Sequence, residues 1–122
     1  MIDHAAVNVS DLEASKQFYD EALKPLGYSL VFEADGFLGY AKGQMPSFGV
    51  ARRDPTGGGH VAFAADDRAT VDAFHEAATK AGGSDNGTPG VREHYHPTYY
   101  AAFVRDLDGN NIEAVCHRPP QD

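Results

Sequence analysis

Residues 99–117, YYAAFVRDLDGNNIEAVCH, decide how the rest of the chain is interpreted. Two runs typical of β-strands, residues 99–104 and 111–116, flank a turn centred on Asp108-Gly109. This pattern predicts a β-hairpin, because Gly accepts the positive φ that a tight turn requires. On the second strand Glu113 lies between two apolar residues and, by strand alternation, faces the opposite side from both. Burying such a carboxylate is costly unless it is paired, hydrogen-bonded or bound to a metal.

The composition predicts one globular domain. A chain of 122 residues with 42% hydrophobic residues can bury its own core but is too short for two ordinary domains. The net charge of −8 argues against nucleic acids and anionic membranes as partners. No run is long enough to span a membrane, and the N-terminus lacks the pattern of a signal peptide. With Cys116 as the single cysteine, no intrachain disulfide can form, so we expect a cytoplasmic protein.

The same order of elements is predicted twice along the chain. Residues 3–9 alternate as a strand, Ser10 as N-cap with Glu13 predicts a helix start, and strand-like runs follow at 28–33, 37–41 and 48–51. Residues 60–65 again alternate, Asp66-Asp67 predicts a second N-cap, and strand-like runs follow at 90–93, 99–104 and 111–116. The glycine-rich linker 54–59 (DPTGGG) separates module one (1–54) from module two (57–122) within a single domain (1–122).

A shift of 56 positions relates the two halves. It pairs residues of like structural role, namely His4 with His60, Asp11 with Asp67, Phe18 with Phe74, Ala22 with Ala78 and Gly27 with Gly83. Five such matches at one offset indicate an internal duplication. Each module then consists of a strand, a helix and three strands (βαβββ).

Two such modules side by side can form one curved sheet, so we predict an α+β fold. In it, one cupped mixed sheet carries its helices on the outside and a cavity on the inside. The faces Ala5/Val7/Val9 and Val61/Phe63/Ala65 would pack against the helices. The opposite faces, which carry His4 and His60, would line the cavity.

Three segments carry a resemblance to a known group of proteins: residues 2–23 (IDHAAVNVSDLEASKQFYDEAL), 59–83 (GHVAFAADDRATVDAFHEAATKAGG) and 99–115 (YYAAFVRDLDGNNIEAV). Together they resemble the vicinal oxygen chelate superfamily. That superfamily includes glyoxalase I, extradiol dioxygenases, fosfomycin-resistance enzymes and metal-free bleomycin-resistance proteins. The resemblance implies paired βαβββ modules, a small-molecule substrate, a homodimer and one divalent ion (Fe, Zn, Ni or Mn).

Residue by residue, the resemblance implies His4, His60 and Glu113 as the metal ligands. Two imidazoles and a carboxylate suit a first-row divalent ion and leave positions open for substrate. Glyoxalase I sites use a fourth protein ligand, but the alignment of residues 48–50 with 112–114 places Gly49 there. In the final hairpin Leu107 replaces the proline of an Asp-Pro-Asp-Gly pattern, which affects turn stiffness and not chemistry.

Other residues are candidates around this centre. Besides Glu113, the candidate catalytic residues are Tyr100 and His96, and the candidate substrate contacts are Asn8, Arg92 and Tyr99. Tyr99 and Tyr100 point to opposite faces of a strand, so one of the two is expected to reach the cavity. His94 and His96 lie in a proline-flanked, loop-like segment, where they would be surface or substrate-contact residues.

Several alternatives stay open from the sequence. Glu113 could instead form a structural ion pair with Arg52, Arg92 or Arg105. The ligand set favours a metal-dependent lyase or isomerase of glyoxalase type, or a ring-cleaving dioxygenase, that binds two neighbouring substrate oxygens. The alternative from another class is a metal-free module that sequesters a small ligand in the same cleft.

Overall fold

The computed structural model describes residues 1–120 and contains two βαβββ modules of the same topology. Module one comprises β1 (Ala5–Val9), α1 (Leu12–Ala22), a short 3-10 helix (Lys24–Leu26), β2 (Ser29–Ala34), β3 (Phe37–Ala41) and β4 (Phe48–Arg52). Module two comprises β5 (His60–Ala64), α2 (Arg68–Lys80), β6 (Ser84–Val91), β7 (Tyr100–Arg105) and β8 (Asn111–Cys116). The predicted α+β class and the duplication are confirmed.

The eight strands form two four-stranded mixed sheets, one per module. Their orders are β1-β4-β3-β2 and β5-β8-β7-β6. In each sheet the first strand pairs in parallel with the last strand of its own module, and the other neighbours are antiparallel. The hydrogen-bonded ladder therefore stops at β1 and β5, which differs in this detail from the one continuous cupped sheet expected from the sequence.

Aspartates cap both helices at their N-termini. The Asp67 carboxylate accepts a hydrogen bond from Thr70 N at 2.7 Å, as predicted for α2. For α1 the predicted cap at Ser10 is wrong by one residue, because Asp11 accepts from Ala14 N at 3.0 Å. The Ser10 amide instead donates to the Asp108 carboxylate of the distant hairpin.

One face of each sheet packs against the helices, as predicted from strand alternation. Val9 and Phe63 are buried on these faces, whereas Ala6 and Ala62 on the opposite faces are exposed. Residues of both modules join in a common core, in which Phe63 of module two contacts Phe48 and Tyr28 of module one edge to face. The opposite side of each sheet, here called its open face, is left for a binding site.

The strand β6 is longer than the sequence predicts. It covers Ser84–Val91, whereas residues 90–93 were predicted. The run SDNGTPGV has low intrinsic strand propensity, and pairing with β7 overrides it, with register shifts between Asp85 and Gly87 and between Gly87 and Gly90. Within residues 1–120, neither long helix has the length and hydrophobicity needed to cross a bilayer.

Candidate active site

The candidate site is built around Glu113, in the middle of β8. Its strand neighbours are Ala62 of β5 and Phe103 of β7. Strand alternation turns Ile112 and Ala114 towards the helices and Glu113 towards the open face. Its side chain is nonetheless only 2% exposed. Module two thus buries a carboxylate at the wall of its open face.

Each carboxylate oxygen of Glu113 has one side-chain partner. Oε1 lies 3.0 Å from Nε2 of His60, and Oε2 accepts a hydrogen bond from the Tyr99 hydroxyl. Among residues 1–120, no Lys or Arg nitrogen lies within salt-bridge distance of this carboxylate. The ion pair with an arginine is therefore wrong for all three candidates, Arg52, Arg92 and Arg105.

The Tyr99 hydroxyl is held in its protonated form. Burial, and then the hydrogen bond to Glu113, raise the pKa of Tyr99 to about 12. At neutral pH the phenol therefore keeps its proton and donates a hydrogen bond to Oε2, which fixes the orientation of the carboxylate. Oε1 is left facing the imidazole of His60, whose side chain is 53% exposed.

These three residues lie in an open pocket of about 630 Å³. Its other lining residues are Tyr95, His96, Phe103, Asn111 and His117. The ring of His117 meets the Tyr99 ring edge to face, with the centroids 5.2 Å apart. Strand alternation places Phe103 on the same face as Tyr99, and it places Asn111 and His117 on the same face as Glu113. These three residues could therefore be predicted from the sequence. Tyr95 lies in a loop and has no such periodic signal.

The two adjacent tyrosines point to opposite sides, as expected. Tyr99 reaches the pocket, whereas Tyr100 faces α2, where its hydroxyl donates to Asp72 at 2.6 Å and Arg68 stacks on its ring. His96 lines the pocket, and its Nδ1 lies 3.0 Å from the Thr98 hydroxyl.

The other two predicted substrate contacts bind protein groups. The Asn8 amide donates to the carbonyl of Pro55 and thereby fixes the linker. The guanidinium of Arg92 donates to the carbonyls of Thr88 and Gly90, and it lies over the Phe103 ring, 5.4 Å from its centroid. Arg92 therefore supports a pocket wall through Phe103.

The third predicted ligand, His4, lies beside the other sheet. It precedes β1, is exposed, and its Nδ1 is 2.8 Å from the Asp3 carboxylate. It lines a separate pocket, on the open face of module one. Within residues 1–120, no group of three or more His, Cys, Asp and Glu side chains is close enough to hold a metal ion. The chain brings His60 and Glu113 together and leaves His4 apart.

The strand registers confirm that Gly49 occupies the position in module one that Glu113 occupies in module two. Ala6 of β1 pairs with Gly49, just as Ala62 of β5 pairs with Glu113. The space beside Gly49 is filled by the ring of Phe37, since a Cβ at Gly49 would lie 2.6 Å from Phe37 Cζ. Module one therefore carries a phenyl ring where module two carries its carboxylate.

Comparison with known proteins identifies the family. Residues 1–114 match the model of the Glyoxalase/Bleomycin resistance protein/Dioxygenase superfamily, and the chain belongs to this superfamily. No curated protein matches the sequence. A glyoxalase/bleomycin resistance protein from Albidiferax ferrireducens is 35% identical, with a TM-score of 0.82, over 96% of this chain and 98% of the other.

Two more distant structures share the fold. Lactoylglutathione lyase from Agrobacterium tumefaciens is 23% identical, with a TM-score of 0.70, over 95% of this chain and 92% of its own. A glyoxalase I mutant from Zea mays is 21% identical, with a TM-score of 0.69, over 93% of this chain and 46% of its own. At these identities the likeness shows the fold alone.

Proposed function

We propose that the protein is a metal-dependent enzyme of glyoxalase or dioxygenase type that acts on a small molecule. The observation that carries the proposal is Glu113, a carboxylate buried at a pocket wall with no Lys or Arg beside it among residues 1–120. A buried carboxylate is costly unless a cation or strong hydrogen bonds compensate it. An ion beside His60 supplies that cation.

The separation of the two donors suits one ion. Two ligand atoms about 2.1 Å from an ion and at a right angle to each other are roughly 3 Å apart. His60 Nε2 and Glu113 Oε1 are 3.0 Å apart. An imidazole with a carboxylate is a donor set that iron, zinc, nickel or manganese accepts. The Tyr99 hydroxyl on Oε2 is the kind of outer partner that orients such a ligand.

Two donors are fewer than the three that catalytic sites ordinarily provide, so the proposal includes a homodimer. His4 of the partner subunit is the third ligand that we assign. In each chain His4 is exposed on one open face, and the His60–Glu113 pair lies on the other. A twofold arrangement that apposes the unlike open faces of two copies makes two equivalent three-ligand sites.

Each group in the pocket is assigned a separate role in the proposed reaction. A divalent ion held by these ligands would polarise a substrate oxygen and stabilise the negative charge that develops there. Tyr99 holds the carboxylate of Glu113 in place. His96 and His117 line the same pocket and can accept a proton from the substrate, and Phe103 and Tyr95 add aromatic surface to its wall.

Charge and cysteine content support the rest of the proposal. With a net charge of −8 the chain is suited neither to nucleic acids nor to anionic membranes. Cys116 is free and buried, which accords with a cytoplasmic location.

A metal-free, ligand-sequestering protein is the second candidate, and one observation favours it. Both oxygens of Glu113 already have hydrogen-bonding partners, in His60 and Tyr99, without any ion. In that case the pocket would bind an organic ligand that uses the same carboxylate as an acceptor.

Metal analysis of protein purified without chelator tests the proposal. We expect about one divalent ion per chain and its loss in Glu113→Gln, which keeps the shape of the side chain and removes its charge. The matched control is Glu33→Gln, a surface glutamate paired with Lys16 at 2.8 Å, which should retain the ion. Equal metal content in the two variants would reject the metal site and favour the sequestering protein.

A further inference from the structure

The pocket of module two surrounds its buried carboxylate with rings. Oε1 of Glu113 meets the imidazole of His60, and Oε2 meets the phenol of Tyr99. Each of these partners has a further aromatic neighbour in the pocket. The Phe103 ring lies 6.4 Å from the His60 ring, and the Tyr95 ring lies 5.0 Å from the Tyr99 ring, between centroids. Glu113 and the four rings on its two sides are here called the aromatic cleft.

The aromatic cleft carries a negative charge and no fixed positive charge. Among residues 1–120, the eight that line the pocket include Glu113 but no Lys or Arg. Arg92 lies over the Phe103 ring, 5.4 Å from its centroid, but it does not line the pocket. Its guanidinium donates to the carbonyls of Thr88 and Gly90. A buried carboxylate with so little compensation attracts a cation from outside the chain.

The surroundings of the carboxylate favour a cation that acts on it from a short distance. The Glu113 side chain is only 2% exposed, and both of its oxygens already have hydrogen-bonding partners. An N–H group of a ligand would therefore reach little of the carboxylate, whereas its charge acts over several ångströms in a site of low dielectric constant. A quaternary ammonium ion has no N–H to satisfy. Its methyl groups suit aromatic walls, because ring faces attract a cation that lies within about 6 Å of the centroid.

We propose that the aromatic cleft is a binding site for small molecules that carry a quaternary ammonium group. This inference goes beyond the proposed function and does not rest on it, because every group that it uses belongs to one chain and none of them is a metal. A divalent ion and an ammonium ion would both use the charge of Glu113. The two cations are therefore alternative occupants of the same pocket.

An NMR titration of the full chain with two matched probes tests this assignment. Choline and 3,3-dimethylbutan-1-ol have the same shape, and only choline is charged. The titration contains EDTA, which removes divalent ions, and is done at about pH 8, where imidazoles are ordinarily neutral. We expect choline to bind about tenfold more tightly. Glu113→Gln should abolish this preference, whereas the surface variant Glu33→Gln should keep it.

A second variant tests the rings without changing the carboxylate. Tyr95 is 61% exposed in the loop between β6 and β7, so Tyr95→Leu leaves the core intact. We expect the affinity for choline to fall about three- to fivefold, with a smaller loss for the uncharged alcohol. Phe32→Leu is the matched control, because Phe32 is an aromatic residue that is 49% exposed on module one. It should bind choline as wild type does.

The outcomes separate this inference from the proposed function. Equal affinities for the two probes in wild type, or no binding of choline, would overturn the inference and leave the metal site standing, because the titration contains no free metal. A choline preference that persists in Glu113→Gln would also overturn it. If Glu113→Gln does not fold, undiminished choline binding by Tyr95→Leu has the same consequence. A preference that is lost in Glu113→Gln, with as much metal in that variant as in wild type, would overturn the metal site alone.

Discussion

At the scale of single residues, the site depends on one position that the two modules use in opposite ways. Glu113 and Gly49 occupy the same place in the two sheets, each opposite an alanine of the first strand. At one, a carboxylate meets His60 and Tyr99. At Gly49, the absence of a side chain leaves room for the ring of Phe37. The same position thus holds a buried carboxylate in one module and an aromatic ring in the other.

The role of Tyr99 can be separated from that of its neighbour. Tyr99→Phe removes the donor to Glu113 Oε2, and we expect the affinity for the divalent ion to fall by about tenfold or more, as is usual when an outer partner of a ligand is lost. Tyr100→Phe is the matched control, because its hydroxyl bonds Asp72 on the α2 side, and it should bind metal as wild type does. Competition with a chromogenic chelator measures both affinities. Equal losses in the two variants would show that the effect is structural.

At the scale of elements, the turn between β7 and β8 ties distant parts of the chain together. The Asp106 carboxylate accepts hydrogen bonds from the Tyr19 hydroxyl of α1 at 2.6 Å and from the backbone and side chain of Asn110. The Asn110 side chain donates to the carbonyl of Asn8 and accepts from the amide of Gly59. Because Gly59 precedes His60, this network fixes β5, and with it His60, against β8.

The Tyr19 hydroxyl makes the free energy of unfolding depend on pH in the alkaline range. Burial, and then the Asp106 carboxylate, raise the pKa of Tyr19 well above its ordinary value. A raised pKa in the folded state gives stability that is complete below about pH 10, the unfolded value, and is lost as pH rises further. We expect this residue to lower the free energy of unfolding by about 1.4 kcal/mol per pH unit above pH 10.

Tyr19→Phe tests that dependence. The variant should be less stable near neutral pH, because Asp106 loses a partner, and its free energy of unfolding should fall less steeply above pH 10. Phe74→Leu, a core change in α2 with no ionisable group, should be destabilised but keep the wild-type slope. Urea unfolding at a series of pH values measures the slopes. A Tyr19→Phe slope equal to that of wild type would contradict the assignment.

The same turn shows what the sequence could and could not predict. Asp108-Gly109 identified the hairpin because turn formation is local, and alternation placed Glu113 correctly because its period is also local. Asp106 and Asn110 are polar residues in a turn, and nothing in their local sequence indicates that they are 5% and 0% exposed. Their burial depends on Tyr19 and Asn8, which are far away in the chain.

The arrangement of the two modules could not be predicted from the sequence, for a related reason. The offset that matches His4 with His60 establishes that the modules are alike, and the two like sheets confirm it. It does not state which surfaces of the modules meet. That is determined by contacts such as Phe63 with Phe48 and Tyr28, which join the helix-packing sides into one core and leave His4 and His60 on separate open faces.

At the scale of the whole molecule, the two open faces carry different chemistry. Module one offers an apolar pocket with His4 at its edge, and module two offers a polar pocket with His60 and Glu113. Within one chain the three ligand-type side chains do not form a group among residues 1–120. Apposing the open face of module one in one copy with that of module two in another unites the two kinds of chemistry. The proposed enzyme is therefore complete only as a dimer.

Mixed dimers provide the decisive test of that arrangement. His4→Ala and Glu113→Ala should each abolish metal binding alone, because each removes a ligand from both sites of its dimer. When the two variants are refolded together, half of the dimers are mixed, and each mixed dimer contains one intact site. We therefore expect about a quarter of the wild-type metal content to return.

The control is a mixture of His60→Ala with Glu113→Ala. These two residues belong to the same half-site, so every site in every mixed dimer lacks one of them and no metal should return. Recovery in the first mixture alone requires that His4 and Glu113 of one site come from different chains. If neither mixture recovers metal, the three ligands belong to a single chain and the dimeric site is wrong. Loss of metal in Glu113→Ala but not in His4→Ala would remove His4 from the ligand set, and the first mixture would then hold about half of the wild-type metal content.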